Sequence, residues 1–449
     1  MSNKNVAEKK IGLVNFGLPL FLGIFFLIWP GIVFSAVLTI FVFYLIAGNV
    51  DSKDKKFVIL ICLIAVALRL AIFIPGQYYC FSKGRLDIFG DGQDNLLQGA
   101  VFSDHLKEGF AGKPYFAFDR YNTHGKTVFN LLFFYLFGMD VISLKYLNIL
   151  CVVISGWFTY DIAKSISSSS AARIAMSAVL LWPTLILWSV TDLKESHFIL
   201  SILIMLWSFN KLINETGVKR RVFLSFLLLA SAFYTVSLKF KFMLPLVVLT
   251  LAISFIYFYA RRRFAENRKV ALKFIFAGLI AAAFLFFWKK ALISQIFNSY
   301  YDIIIAYHRG FLDSGGWNYS LIGELNQTVY TAPFFIKYVL SAWFHFLMEP
   351  LPWHVYSLGI AVIFPMTIIW YLMLTLAFMG AIKVYKSGKA DLIFTPLLFM
   401  FLYASVVGMS IANIGTAVRF RDAIMPIVAI LASCGLMKFK NNEAFNVEL

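Results

Sequence analysis

The stretch FVILICLIAVALRLAIFIP, residues 57–75, follows Lys53, Lys55 and Lys56 and carries one charged side chain, Arg69. A helix needs about 20 apolar residues to cross the hydrocarbon core of a bilayer, so this stretch reads as a membrane span. Outward from it the same pattern recurs, at 11–29, 31–48, 141–160, 174–190, 196–210, 222–238, 242–260, 270–288, 356–380, 392–410 and 423–437. With 57–75 these make about twelve transmembrane helices. The expected fold class is therefore an all-α polytopic membrane protein, one transmembrane domain over 1–449.

Composition agrees with that reading. Of 449 residues, 61% are apolar and 14% charged, where a soluble domain carries about 25% charged residues. A water-soluble enzyme and a disordered basic tail are both excluded. The net charge of +17 does not point to nucleic acid, because the Lys and Arg sit in short clusters between apolar runs rather than on a polar face. Cys62, Cys151 and Cys434 lie inside apolar runs and Cys80 in a more polar one, which implies no disulfide framework. Lys4, Lys9 and Lys10 precede the run from Ile11 to Trp29. That run is too long for the core of a signal peptide, and no small-residue cleavage site follows, so it is expected to be a retained first span.

Basic clusters set the expected sidedness. With both termini in the cytoplasm, Lys53/Lys55/Lys56, Lys211/Lys219/Arg220/Arg221, Arg261/Arg262/Arg263/Arg268/Lys269/Lys273 and Lys383/Lys386/Lys389 all fall inside. Parity then keeps 333–349, which carries Lys337, His345 and Glu349 and ends near Pro350 and Pro352, as an interfacial helix on the outer surface. The short apolar run 127–137 is expected to lie along the same face. Two large outer loops result, 76–140 and 289–355, while everything inside is short. Chemistry is expected on the extracytoplasmic side, because binding and catalytic residues concentrate on loops held by a scaffold.

Three constellations lie on that side. GDGQDN, residues 90–95, follows the third span; glycines beside Asp91 allow the backbone to bring Asp91 and Asp94 into a cleft, and 96–102 reads as a short amphipathic helix. A carboxylate there can act as general base toward a sugar hydroxyl, stabilise an oxocarbenium-like transition state or bind a divalent cation. TDLKES, residues 191–196, follows Trp182-Pro183 and Trp188, a combination able to bend a span and anchor it. Lys194 is suited to a phosphate, with Asp192 and Glu195 orienting it or serving the acceptor. The third set is Asn413, Gly415, Thr416, Arg419, Arg421 and Asp422, where two guanidinium forks beside glycine suit a phosphate or pyrophosphate. Lys239, Lys241, His308 and Arg309 add outer cations.

The chain holds no GxxxxGK[ST] loop, HExxH or CxxC, so nucleotide hydrolysis by a P-loop and zincin chemistry lack their signatures. No span shows a string of Asp, Glu or His of the kind that marks a proton relay. Arg69 is near enough to the outer end of its span to snorkel to the interface.

This layout resembles the GT-C superfamily of polytopic glycosyltransferases, which includes protein mannosyltransferases and the bacterial lipid A aminoarabinose transferase. The shared features are an acidic motif in a first outer loop (Asp91, Asp94), a Lys-Glu pair at the outer end of a middle span (Lys194, Glu195) and an Arg-bearing loop before the last span. The similarity is densest from Tyr121 to Leu212 and in NIGTAVRFRDAIMP, residues 413–426. The resemblance implies transfer of a sugar from a polyprenyl-phosphate-linked donor to a glycan or lipid acceptor, in the bacterial inner membrane with the active site facing the periplasm. Asp91 or Asp94 would be the catalytic carboxylate, and Lys194, Arg419 and Arg421 would hold the donor phosphate. The adjacent Asp-Glu pair of the mannosyltransferases is absent, since Gly92 and Gln93 separate Asp91 from Asp94. No metal ligand set is assigned; Mg or Mn is the cofactor class such a carboxylate site would take.

Two other readings fit the same outer-loop residues. One is a polysaccharide polymerase or ligase acting on lipid-linked glycans, with His308, Arg309, Arg419 and Arg421 as its working set. The other is a flippase or transporter of lipid-linked sugars. Transporters place polar residues at the midplane of broken helices, often in two similar halves. Here polar residues gather in outer loops and no repeat is found, which favours an enzyme.

Overall fold

The computed structural model describes residues 29–107, 124–263, 304, 306–311, 332–355 and 358–437. The expected span at 270–288 and all of that at 11–29 but Trp29 lie outside these residues, as do 108–123 of the first large loop and most of 289–331 in the second.

Every regular element among the described residues is a helix. In chain order they are α1 (Pro30–Gly48), α2 (Ser52–Ser82), α3 (Gly90–Lys107), α4 (His124–Phe137), α5 (Val141–Ile166), α6 (Ser169–Leu180), α7 (Pro183–Ser189), α8 (Glu195–Asn214), α9 (Val218–Leu238), α10 (Phe240–Arg263), α11 (Ala332–Met348), α12 (Leu358–Lys386), α13 (Ala390–Ser410), α14 (Ile414–Arg421) and α15 (Met425–Leu436). Eight of them, α1, α2, α5, α8, α9, α10, α12 and α13, are long and apolar enough to cross a membrane. The bent pair α6 and α7 makes a ninth if counted as one span. The expected run 174–190 is this pair, and its 54° bend falls at Trp182-Pro183, where proline cannot supply the amide hydrogen that would continue α6. The expected last span, 423–437, is a helix of 12 residues, Met425–Leu436. That is short for a span, and it is buried along almost its whole length.

Large apolar side chains face outward on the long helices. On α9 these include Val222, Phe226, Leu229 and Phe233. A soluble protein would not expose so continuous an apolar surface, whereas lipid accepts it at no cost.

The chain divides into two units, 1–157 with 185–197, and 158–184 with 198–449. In the first, α3 and α4 pack closely against one another. Leu96, Phe133, Phe134, Leu144, Leu147 and Leu150 form a buried apolar cluster there. Gly99 permits the approach, since a Cβ at that position would fall 2.6 Å from the Asn130 Cβ. In the second unit the tightest packing is between α12 and α15, where Gly380 and Gly435 sit against backbone of the opposite helix.

Several cations expected inside cap helix ends. Lys383 Nζ donates to the carbonyls of Gly435 and Met437, and Lys389 Nζ to that of Ile166 at 3.0 Å. The last carbonyls of a helix have no partner within it and carry partial negative charge, so ammonium groups are favoured there.

Arg69 departs from expectation. Its side chain does not snorkel; it is fully buried, with Nε donating to Ser189 Oγ at 2.8 Å and Nη1 to the Ala65 carbonyl at 3.0 Å. A hydroxyl within the protein meets the cation before the interface does.

Candidate functional site

In the first unit, GDGQDN is the opening of helix α3 rather than a loop. Gly90 starts the helix, and Asp91 and Asp94, three residues apart, share its exposed side. Acidic side chains are favoured in a first turn, where amide hydrogens are unpaired. The opposite side carries Gly92, Asn95, Leu96, Gly99 and Ser103, all buried.

TDLKES caps the other side of the same region. Thr191, Asp192 and Leu193 are buried, Lys194 is half-buried, and Glu195 is buried at the start of α8. The turn is held from several directions. The Asp192 amide donates to Asp87 Oδ2 at 2.7 Å, and its carbonyl accepts from Asn95 Nδ2 at 3.1 Å. The Thr191 carbonyl accepts from Asn148 Nδ2 at 2.7 Å. The Asp192 carboxylate forms an ion pair with Lys126 at 2.7 Å, both side chains having no exposure. Its second oxygen accepts from Asn130 Nδ2 at 2.5 Å, and Asn130 Nδ2 also reaches the Asn95 carbonyl at 3.2 Å. Two motifs almost a hundred residues apart in sequence are thereby joined in one hydrogen-bonded assembly.

Burial pushes the Asp192 carboxyl above its ordinary range, opposed by the Lys126 charge and by hydrogen bonds from Lys126 and Asn130. Lys126 Nζ also donates to Asn148 Oδ1 at 3.1 Å. With Asn148 Nδ2 committed to Thr191, Oδ1 can only accept, so His197 Nε2, 2.8 Å away, is its donor. A second buried pair lies beside the first. Lys145 Nζ is 3.0 Å from Asp87 Oδ2 and donates to Gln77 Oε1 at 2.8 Å.

Sequence reasoning missed Asp87, Lys126, Asn130, Lys145, Asn148 and His197. Apart from Asp87, which precedes α3, these side chains are buried within or at the edge of helices that read as apolar runs. The available signals were Lys145 and Asn148 at i and i+3 in α5, and Lys126 and Asn130 at i and i+4 in α4, each placing two polar groups on one helix face.

The remaining expected residues belong to the second unit. Asn413 is the N-cap of α14, its Oδ1 accepting from the Thr416 amide at 3.0 Å, so the Arg-bearing loop is a short capped helix. Arg419 is half-buried. Arg421 is fully buried: Nη1 donates to the carbonyls of Leu347 at 3.2 Å and Glu349 at 2.7 Å, and its guanidinium stacks 4.7 Å from the Trp370 ring. Burial lowers its pKa to about 10. Asp422 Oδ1 accepts from Trp182 Nε1 at 3.0 Å. Lys239 is buried between rings, 3.2 Å from the Phe420 centroid and 4.8 Å from that of Phe198. The side chain of Lys241 lies outside the described residues. His308 is buried and Arg309 exposed; burial lowers the His308 pKa to about 4, against the hydrogen bonds it donates to the backbone at Ile411 and Met409.

A further cluster in this unit centres on Glu349. Its buried carboxylate accepts from His345 Nδ1 at 2.8 Å, His354 Nδ1 at 2.9 Å and the Leu351 amide at 3.0 Å. Burial alone would raise this carboxyl, but the hydrogen bonds from the two imidazoles and the amide hold it below its ordinary value.

Among the described residues no group of three or more His, Cys, Asp or Glu is arranged to hold a metal ion. No protein-family model matches this chain, and no curated protein is similar enough to it to count as a relative.

Proposed function

We propose that this protein is a GT-C-type membrane glycosyltransferase that moves a sugar from a polyprenyl-phosphate-linked donor to a glycan or lipid acceptor at the extracytoplasmic face. The observation that carries the reading is the joining of GDGQDN to TDLKES: Asn95, one residue after Asp94, holds the backbone of Asp192, two residues before Lys194. Exposed carboxylates and a half-buried ammonium are thus built onto one buried polar assembly.

In this reading Asp91 or Asp94 takes the proton from an acceptor hydroxyl. The acceptor oxygen attacks the anomeric carbon as its bond to the donor phosphate breaks, and the electron pair leaves on the polyprenyl phosphate. Lys194 offsets the charge of that phosphate, because a cation aimed at developing negative charge lowers the barrier. Arg421, in the second unit, is committed to the carbonyls of Leu347 and Glu349.

The test is transfer by purified protein in proteoliposomes. Radiolabelled polyprenyl-phosphate-linked sugars are supplied with glycan and lipid acceptors, and covalent product is separated by chromatography. Asp91→Asn and Asp94→Asn are assayed beside the wild type. If neither lowers product while both insert normally, the carboxylate assignment is wrong. Movement of lipid-linked sugar across the bilayer without covalent product would establish the flippase reading instead.

A further inference from the structure

We infer that Lys126 is a positioning residue for this reaction: acting through Asp192, its buried ammonium fixes the Lys194 turn against the helix that carries Asp91 and Asp94. The inference rests on the glycosyl-transfer reading above.

The contacts run in one direct series. Lys126 Nζ meets one oxygen of Asp192, the other oxygen meets Asn130, and Asn130 meets the Asn95 carbonyl in α3. The register of α3 on α4 has a separate origin, the contact of Gly99 with Asn130 Cβ. Packing therefore sets the two helices, while charge sets the turn that lies against them. Stability by itself does not call for a charged pair here. Replacing a buried ion pair with apolar groups of similar size is often neutral or stabilising, whereas a buried charge can impose one geometry where apolar packing would tolerate several. The residues that gain from such a geometry are Lys194, two positions beyond Asp192, and the carboxylates at 91 and 94. Lys126 itself has no exposure and touches no substrate.

The double variant Lys126→Met/Asp192→Asn removes both charges and nearly preserves volume. It is expected to melt close to the wild type while kcat falls by about tenfold to a hundredfold, the scale that small misplacements of reacting groups produce, with acceptor KM unchanged. A purely structural pair would give the opposite pattern, with kcat per folded molecule intact. Retention of kcat within about twofold at wild-type stability, against the losses expected from misplacement, overturns the inference.

Should the double variant fail to insert, Asn130→Ala decides. It keeps the Cβ that Gly99 packs on and removes only the amide linking Asp192 to Asn95, so a drop in kcat at unchanged acceptor KM is expected and an unchanged kcat overturns the inference. The two levels of failure separate cleanly. A wild type without transfer activity overturns the glycosyl-transfer reading and this assignment with it. An active wild type that is silenced by Asp91→Asn or Asp94→Asn, yet indifferent to the double variant, overturns this assignment alone.

Discussion

Lys145 Nζ lies 3.0 Å from Asp87 Oδ2, with the two side chains 1% and 0% exposed. Removing one partner leaves the other as an uncompensated buried charge, which costs about 3–5 kcal/mol. Lys145→Met and Asp87→Asn are each expected to destabilise the detergent-solubilised protein by that amount. The double variant should recover most of the loss, since no buried charge remains. Denaturation midpoints of the four proteins form a double-mutant cycle that reads the coupling directly; additive losses would show that the pair does not act as a unit.

Gly380 and Gly435 allow α12 and α15 to meet backbone to backbone. A Cβ on Gly380 would press into the Leu431 carbonyl, and one on Gly435 into that of Leu376. Both obstacles are main chain, which cannot rotate aside. Gly380→Ala and Gly435→Ala are each expected to destabilise by at least about 1–3 kcal/mol through overpacking. Gly48→Ala, at a position open around the Cβ, serves as the control and should be near neutral. Thermal melts of the three variants check this ordering.

Arg419 and Arg421 should separate by phenotype. Arg421→Ala abandons the carbonyls of Leu347 and Glu349 and the face of Trp370, so its melting temperature should fall clearly. Arg419→Ala, which truncates a half-buried side chain, is expected to lower it less. A melt on each variant checks the order.

Two acid-sensitive windows follow from His308 and Glu349. The folded state keeps His308 neutral, with its pKa near 4 against an ordinary 6.5, so protonation favours unfolding. That contribution is complete above pH 6.5 and is lost as pH falls toward 4. Glu349 is held below its ordinary 4.5, so its contribution is complete above about pH 4.5 and is lost as pH falls further. His308→Gln should flatten the upper limb of stability against pH, and Glu349→Gln the lower one. Denaturant titrations across the range measure both.

The long spans were legible because lipid demands a continuous apolar run, and α2, α9, α12 and α13 supply one. The Trp182-Pro183 bend was legible because proline acts locally. The start of α3 was not: glycine and aspartate read as turn residues, while the buried face made by Asn95, Gly99 and Ser103 becomes visible only once α4 lies against it. The polar core around Asp192 was hidden for a related reason. Lys145 stands in a mostly apolar run, while Lys126 and His197 sit at the polar edges of such runs, and only the fold shows that their partners come from distant segments. Arg421 illustrates the converse. Its place in a glycine-containing loop suggested a ligand, but the carbonyls at 347 and 349 are what its guanidinium meets.

The separation of Lys126 from Asp192 along the chain also has a bearing on biosynthesis. The first unit is made of 1–157 and 185–197, so it stays incomplete until the ribosome has delivered the later stretch. Until then the Lys126 ammonium has no carboxylate from residue 192. The Lys126–Asp192 pair that closes this unit can therefore form only after residues 185–197 have emerged.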